Sequence, residues 1–229
     1  MSYTLLEART EVRALIDEDA PQFWTNAQLN SWINQGAQDV ARRAETLWQE
    51  VNINVTPLIQ NYLFPNDFLN CHRAEFTLAG SDQTFNLDYR GINQMDEIWG
   101  ILHSLPAAWP QYFTIRGNSA LGFYLMLYPS PGAGGLLTVY YYRAAVTVTA
   151  DGTNIDVQPG WEDIVFDYAV YKAKRKANDP SWQEAFQLYN GNLDQMIAKS
   201  RNMTDLAEQI TSGIPQWPVY AYGEGVDTW

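Results

Sequence analysis

Between Thr4 and about Asp17, Leu5, Ala8, Val12, Leu15 and Ile16 recur at three- and four-residue steps, while Glu7, Arg9, Glu11 and Arg13 take the polar positions. That period predicts an amphipathic helix. Asp17-Glu18-Asp19-Ala20-Pro21 breaks it. Thr25-Asn26-Ala27-Gln28 then reads as a capping box, with Thr25 as N-cap and Gln28 reaching back. Behind it Leu29, Trp32, Ile33, Gly36, Ala37, Val40, Ala41, Ala44 and Leu47 form one apolar stripe, predicting a second helix to about Trp48. From Val51 the period falls to two. Val51, Ile53 and Val55 alternate with asparagines, and Tyr62–Pro65, Arg73–Leu78, Phe85–Tyr89, Tyr112–Arg116, Leu121–Leu127 and Leu136–Arg143 are further short strands between Gly, Asn, Asp and Ser turns. The three- and four-residue period returns with Trp161, Ile164, Val165, Tyr168, Ala169 and Lys172. After Asp179-Pro180, an N-cap and first-turn pair, Trp182, Phe186, Tyr189, Leu193, Met196 and Ile197 carry a last helix to about Ile210.

The order helices, strands, helices predicts an α+β protein. The expected form is a helical bundle from the N- and C-terminal helices, with an inserted antiparallel β module and an extended C-terminal arm. The expected boundaries are 1–50 and 149–210 for the bundle, 51–148 for a barrel- or sandwich-like β module, and 211–229 for the arm. The arm holds Pro215, Trp217, Pro218, Tyr220, Tyr222 and Trp229 and shows no period.

Composition narrows the function classes. With 46% hydrophobic and 17% charged residues in 229, the chain is not disordered. Fourteen Lys and Arg against 26 Asp and Glu give a net charge of −12, which argues against wrapping nucleic acid by neutralising phosphates. No apolar run approaches the roughly 20 residues of a membrane helix, and Met1–Leu15 lacks the apolar core of a secretory signal. A lone cysteine, Cys71, fits a reducing compartment. Nine Trp, 14 Tyr and 9 Phe are the unusual feature, and rings beyond the needs of a core suit interfaces.

Candidate chemistry is sparse. Cys71-His72 lacks the spacing of a zinc site, and His103-Ser104 near Asp96 and Glu97 lacks a nucleophile elbow. Gly132-Ala133-Gly134-Gly135 has no following Lys-Ser/Thr and leads into a strand, unlike a phosphate loop. Asp17-Glu18-Asp19 lacks the calcium-loop pattern and reads as a solvated acidic turn. No cofactor or metal site is expected. The one cationic cluster, Lys172, Lys174, Arg175 and Lys176, complements the helix dipole where it stands, and an acidic neighbour or DNA is the alternative partner.

Five segments in order resemble one family. Thr25 to Gly36, with Ala41-Arg42-Arg43 behind it, is similar to the W(S/T)xxELxxWINxG helix of tailed-bacteriophage head-to-tail adaptor proteins. Tyr62 to Phe68 resembles its YxLPxDF element, Leu125 to Pro131 its LxLYPxP element, and Leu137 to Arg143 its LxVxYYR strand. Trp161 to Val165 with Tyr168-Ala169 resembles the closing helix. The resemblance covers roughly residues 4–200 and implies a structural, non-enzymatic virion protein assembled in the host cytoplasm. It implies a ring, usually of about twelve copies, between the portal and a tail tube, nozzle or completion protein, extending the channel through which genomic DNA passes. By the same resemblance the arm, with Pro215, Trp217, Pro218, Tyr220, Tyr222 and Trp229, is expected to dock on the portal. Lys172, Lys174, Arg175 and Lys176 are expected to face a neighbouring subunit. Two readings from other classes stay open: a carbohydrate-binding module of a tail fibre or spike, and a small hydrolase built on His103, Ser104 and Asp96.

Overall fold

The computed structural model describes residues 2–18, 23–81, 83–99, 108–118 and 122–212, with side chains throughout except at 96–99, 118 and 201–212. Among them seven strands form one sheet. They are β1 (Trp48–Val55), β2 (Asn61–Leu63), β3 (Phe68–Leu78), β4 (Thr84–Tyr89), β5 (Tyr112–Asn118), β6 (Gly122–Tyr128) and β7 (Gly135–Arg143). Their spatial order is β1-β7-β3-β4-β5-β6-β2, and the sheet curls into a nearly closed barrel.

This corrects the fold expected from the sequence. The chain is not a helical bundle carrying an inserted antiparallel module; a mixed sheet is its centre. Strands β4 and β5 run parallel, with Asp88 opposite Tyr112 and Tyr89 opposite Phe113. The crossover between them carries α3 (Ile92–Trp99), a helix that the strand-and-turn reading passed over. A period of two marks a strand and its buried face but not its partner, and a parallel pair needs a long connection that short turn signals cannot reveal.

All seven strands point side chains into one interior. Val55, Tyr62, Phe76, Leu87, Phe113, Leu125 and Val139 meet there, one from each strand in chain order. Strand β7 organises it, paired along one edge with β1 and along the other with β3. Its Leu137, Val139 and Tyr141 are fully buried, while Thr138, Tyr140 and Tyr142 face outward. Gly135 opens β7 where a Cβ would stand 2.6 Å from two atoms of the Phe76 ring and closer still to the Thr77 carbonyl oxygen.

Helices α1 (Leu5–Leu15), α2 (Asn26–Ala44), α4 (Glu162–Lys176) and α5 (Trp182–Ser212) flank the sheet and share a second apolar cluster. The Thr25–Gln28 capping box forms as read, and Thr4 with Glu7 makes another. Helix α2 stops at Ala44, short of Trp48, because Glu45 turns left-handed with φ 49°, and Trp48 already belongs to β1. Gly36 lets α4 approach α2: a Cβ there would lie 3.1 Å from the Tyr168 ring. Two positions read as solvent-facing on the first helix are buried instead, Arg9 and Arg13, each 6% exposed. Arg9 donates to both carboxylate oxygens of Asp151 and to Asn30, and Arg13 to Glu18, the Trp24 carbonyl and Asn26. A buried guanidinium is tolerated when its donors are so satisfied.

Sheet and helices meet at the end of β7. Arg143 donates two bonds to Asp156, at 2.5 and 2.9 Å, and Asp156 also accepts the Val146 N–H. The Ala144 N–H donates to the Asp67 carbonyl, and the Tyr141 hydroxyl to the Asp67 carboxylate. Farther along, the Asn34 amide of α2 donates to the Val148 carbonyl and accepts its N–H, holding the extended chain against the helix. Burial pushes the Asp156 carboxyl up, but the Arg143 hydrogen bonds, the Val146 N–H and the guanidinium charge outweigh it and leave the group below the ordinary carboxylate range.

Two outcomes follow for denaturant titration. Gly135→Ala is expected to cost about 1–3 kcal/mol, because backbone and a buried ring must both shift. Gly152→Ala, with open space around its Cβ, should stay within about 0.5–1 kcal/mol of the parent. For Asp156 the lowered pKa means stability that is present above the ordinary value of about 4 and lost as pH falls through the folded value. Asp156→Asn should therefore destabilise the chain at neutral pH, with the difference from the parent shrinking as pH falls below about 4.

Candidate functional site

The residues that could carry chemistry are dispersed. Cys71 lies on β3, half-buried, and burial pushes its thiol up to about 12 against a weaker opposing backbone hydrogen bond from Arg73. A thiol held protonated is a poor nucleophile and a poor metal ligand. His72 points outward beside it, edge-on to Trp48 with ring centroids 4.5 Å apart. Among the described residues no group of three His, Cys, Asp or Glu converges to hold a metal ion. His103 and Ser104 lie outside the described residues, and for Asp96 only the backbone, within α3, is described.

The glycine run 132–135 is used by the fold itself. Gly132 N–H donates to the Ala108 carbonyl, and the Gly134 carbonyl accepts from Ala79. The acidic turn is likewise tied inward: the Glu18 carboxylate accepts from Arg13 at 2.7 Å and from the Phe23 and Trp24 N–H groups.

The basic cluster spreads around the end of α4. Lys172 stands 5.1 Å over the Tyr168 ring. Arg175 donates to the Tyr171 hydroxyl at 2.8 Å and lies 5.7 Å over Trp182 of α5. Lys176 sits 5.7 Å from each of the Trp24 and Trp32 rings, on the side of α2. Lys174 lines a cavity of about 240 Å³ with Leu15, Ile16, Trp24 and Ala177. Successive helix positions differ by about 100°, so four cations in five residues cannot share one face. Each cation lies over an aromatic face or at the rim of this cavity, so the group is a cationic and aromatic collar.

The strand patterns also hid two groupings of aromatic side chains. Trp48, Tyr142 and His72 form an exposed aromatic row across β1, β7 and β3. At the opposite end of β7, Trp109 meets Phe85 edge-on and lines a cleft of about 400 Å³ with Phe76, Leu78 and Pro110. Strand alternation does separate Tyr140 and Tyr142 from Tyr141, but strand order is what brings rows together. Among the described residues no helix is long and apolar enough to cross a membrane. The arm residues Pro215, Trp217, Pro218, Tyr220, Tyr222 and Trp229 lie outside the described residues.

Comparison with known proteins adds one positive result. The family model described as SU10 adaptor protein matches residues 3–213, a span that takes in the whole sheet and the helices around it. No curated protein matches the chain.

The raised thiol pKa has a direct check. At pH 8 a thiol near 12 has about a thousandth of the thiolate of one at its ordinary value, so iodoacetamide should modify Cys71 about a thousandfold more slowly in the native than in the unfolded chain. Intact-mass kinetics measure both rates. Similar rates in the two states would mark Cys71 as a reactive thiol.

Proposed function

The chain belongs to the SU10 adaptor protein family, and from that premise we propose that it is a structural subunit of a bacteriophage neck. In this reading, copies form a closed ring, of about twelve, between the portal and the tail, and genomic DNA passes through the ring's lumen. The family match across residues 3–213 carries the proposal.

Physical features support it. A chain with 14% aromatic and only 17% charged residues is suited to extensive subunit contacts, where large rigid rings add area at low entropic cost. A net charge of −12 per copy suits a conduit, because phosphates are repelled from acidic walls and each Lys or Arg contact would act as a brake. The collar of Lys172, Lys174, Arg175 and Lys176 faces a neighbouring copy. The segment beyond Ser212, with Pro215, Trp217, Pro218, Tyr220, Tyr222 and Trp229, is the portal-docking arm. Its prolines limit the states lost on docking, and Trp and Tyr are common hot spots, often worth about 2 kcal/mol or more on truncation.

Native mass spectrometry of the purified chain, alone and mixed with its portal protein, tests the assignment. The expected result is a complex containing the portal and a ring of 26.1 kDa subunits. Removing 213–229 should leave the thermal midpoint of the free chain nearly unchanged while abolishing portal binding. A truncated chain that joins the portal with full affinity would place the dock elsewhere.

A further inference from the structure

The collar at the end of α4 combines features that recognise one kind of partner. Among the described residues none of Lys172, Lys174, Arg175 and Lys176 lies within ion-pair distance of a carboxylate. The Asp179 carboxyl is lowered by hydrogen bonds from the Ser181 N–H and hydroxyl, with the nearby Lys174 charge adding a smaller share. Among the described residues Asp17 lines the same hollow, Glu18 accepts from the Trp24 N–H below Lys176, and Glu184 lies in the first turn of α5. Beside the cations stand exposed apolar groups, Phe23 at 69% and Leu15 at 54% exposure. The adjoining cavity of about 240 Å³ exceeds the roughly 150 Å³ that holds a benzene molecule. Cations already seated on rings, next to a hollow that Leu15, Ile16, Trp24 and Ala177 share with Asp17, Lys174 and Asp179, suit a segment that carries both carboxylates and aromatic or aliphatic anchors.

Such a segment is present in the sequence beyond Ser212. Tyr222-Gly223-Glu224-Gly225-Val226-Asp227-Thr228-Trp229 has two carboxylates, no cation, and an aromatic residue at each end. We propose that the collar of one copy binds residues Tyr222–Trp229 of a second copy. This rests on the reading of the chain as a ring subunit, and it identifies the acidic partner of Lys172–Lys176.

Reach favours a second copy over the same chain. The collar lies at the start of α5, where Arg175 covers Trp182. The arm leaves the other end of that 31-residue helix, about 46 Å away. Twelve residues from 213 to 224 span at most about 43 Å fully extended, so Glu224 meets its own collar only with a drawn-out chain and outstretched side chains, and Asp227, at most about 54 Å along, only with the chain nearly straight. Tyr222 and Trp229 also serve the portal in the function proposed above, so a neighbour holds the arm's end before docking and yields it to the portal.

Sedimentation velocity on the full chain at low and high salt tests this with three variants: Lys174→Glu/Arg175→Glu/Lys176→Glu, Glu224→Lys/Asp227→Lys, and the two sets combined. Each set alone should weaken self-association about tenfold and remove most of its salt dependence. The combined, charge-exchanged chain should recover to within about threefold of the parent. Thermal midpoints of the arm and collar variants are both compared with the parent's, so that an effect on folding is separated from an effect on association. Unchanged association in the arm variant overturns the proposal, even if the collar variant is impaired, since the collar then meets another face. Failure of the combined variant to recover also overturns it. Portal binding by the parent chain is read separately, so loss of the adaptor reading and loss of this contact are distinct results.

Discussion

The structure depends on one joint, the pairing of Arg143 with Asp156. Strand β7 lies between β1 and β3, so its position sets both halves of the longer part of the sheet. Its last residue is fastened by two hydrogen bonds to a carboxylate in the turn-rich connection that leads into α4. The same carboxylate takes the Val146 N–H, and Asp67 takes the Ala144 N–H and the Tyr141 hydroxyl within a few residues. Breaking the pair would leave a partly buried charge without a partner and free the connection between the two apolar clusters. Removing one member of such a pair costs more than the pair itself contributes, because the other charge stays behind.

A second constraint is how this acidic chain handles its few cations. Arg9, Arg13 and Arg143 are consumed internally, Arg9 on Asp151 at 142 positions' separation and Arg13 and Arg143 on partners within 13 positions. Arg73 lies on the Tyr140 ring and pairs with Glu75. The collar residues rest on tyrosine and tryptophan faces. Many of the aromatics therefore serve as seats for positive charge as well as apolar filling. Cation and ring held together keep a rigid surface with lower desolvation cost on binding than a free lysine would show.

Much of the local structure was legible along the chain. Thr25 and Gln28 announce a helix start, and both bonds of the box are made, because that chemistry involves only residues three apart. Strand positions were readable wherever one face is buried, as in Leu137, Val139 and Tyr141. In the candidate site, the four cations were legible as a cluster and the arm as an aromatic, proline-bearing segment.

What only the tertiary structure decided concerns partners. Alternation cannot say that β4 pairs in parallel with β5, or that β7 joins β1 to β3, since backbone ladders carry no sequence label. The order of helices, strands and helices suggested a helical frame; the closure of seven strands around one interior made the sheet the centre instead. Arg9 and Arg13 look like solvent positions because arginine is rarely buried, and they became internal ties once Asp151, Glu18 and the Trp24 carbonyl were brought to them. A run of lysines became a collar because a helix turns 100° per residue and three different elements offered rings. Local signals act over three or four residues, whereas these contacts span up to 142 positions, and distance in sequence is what hid them.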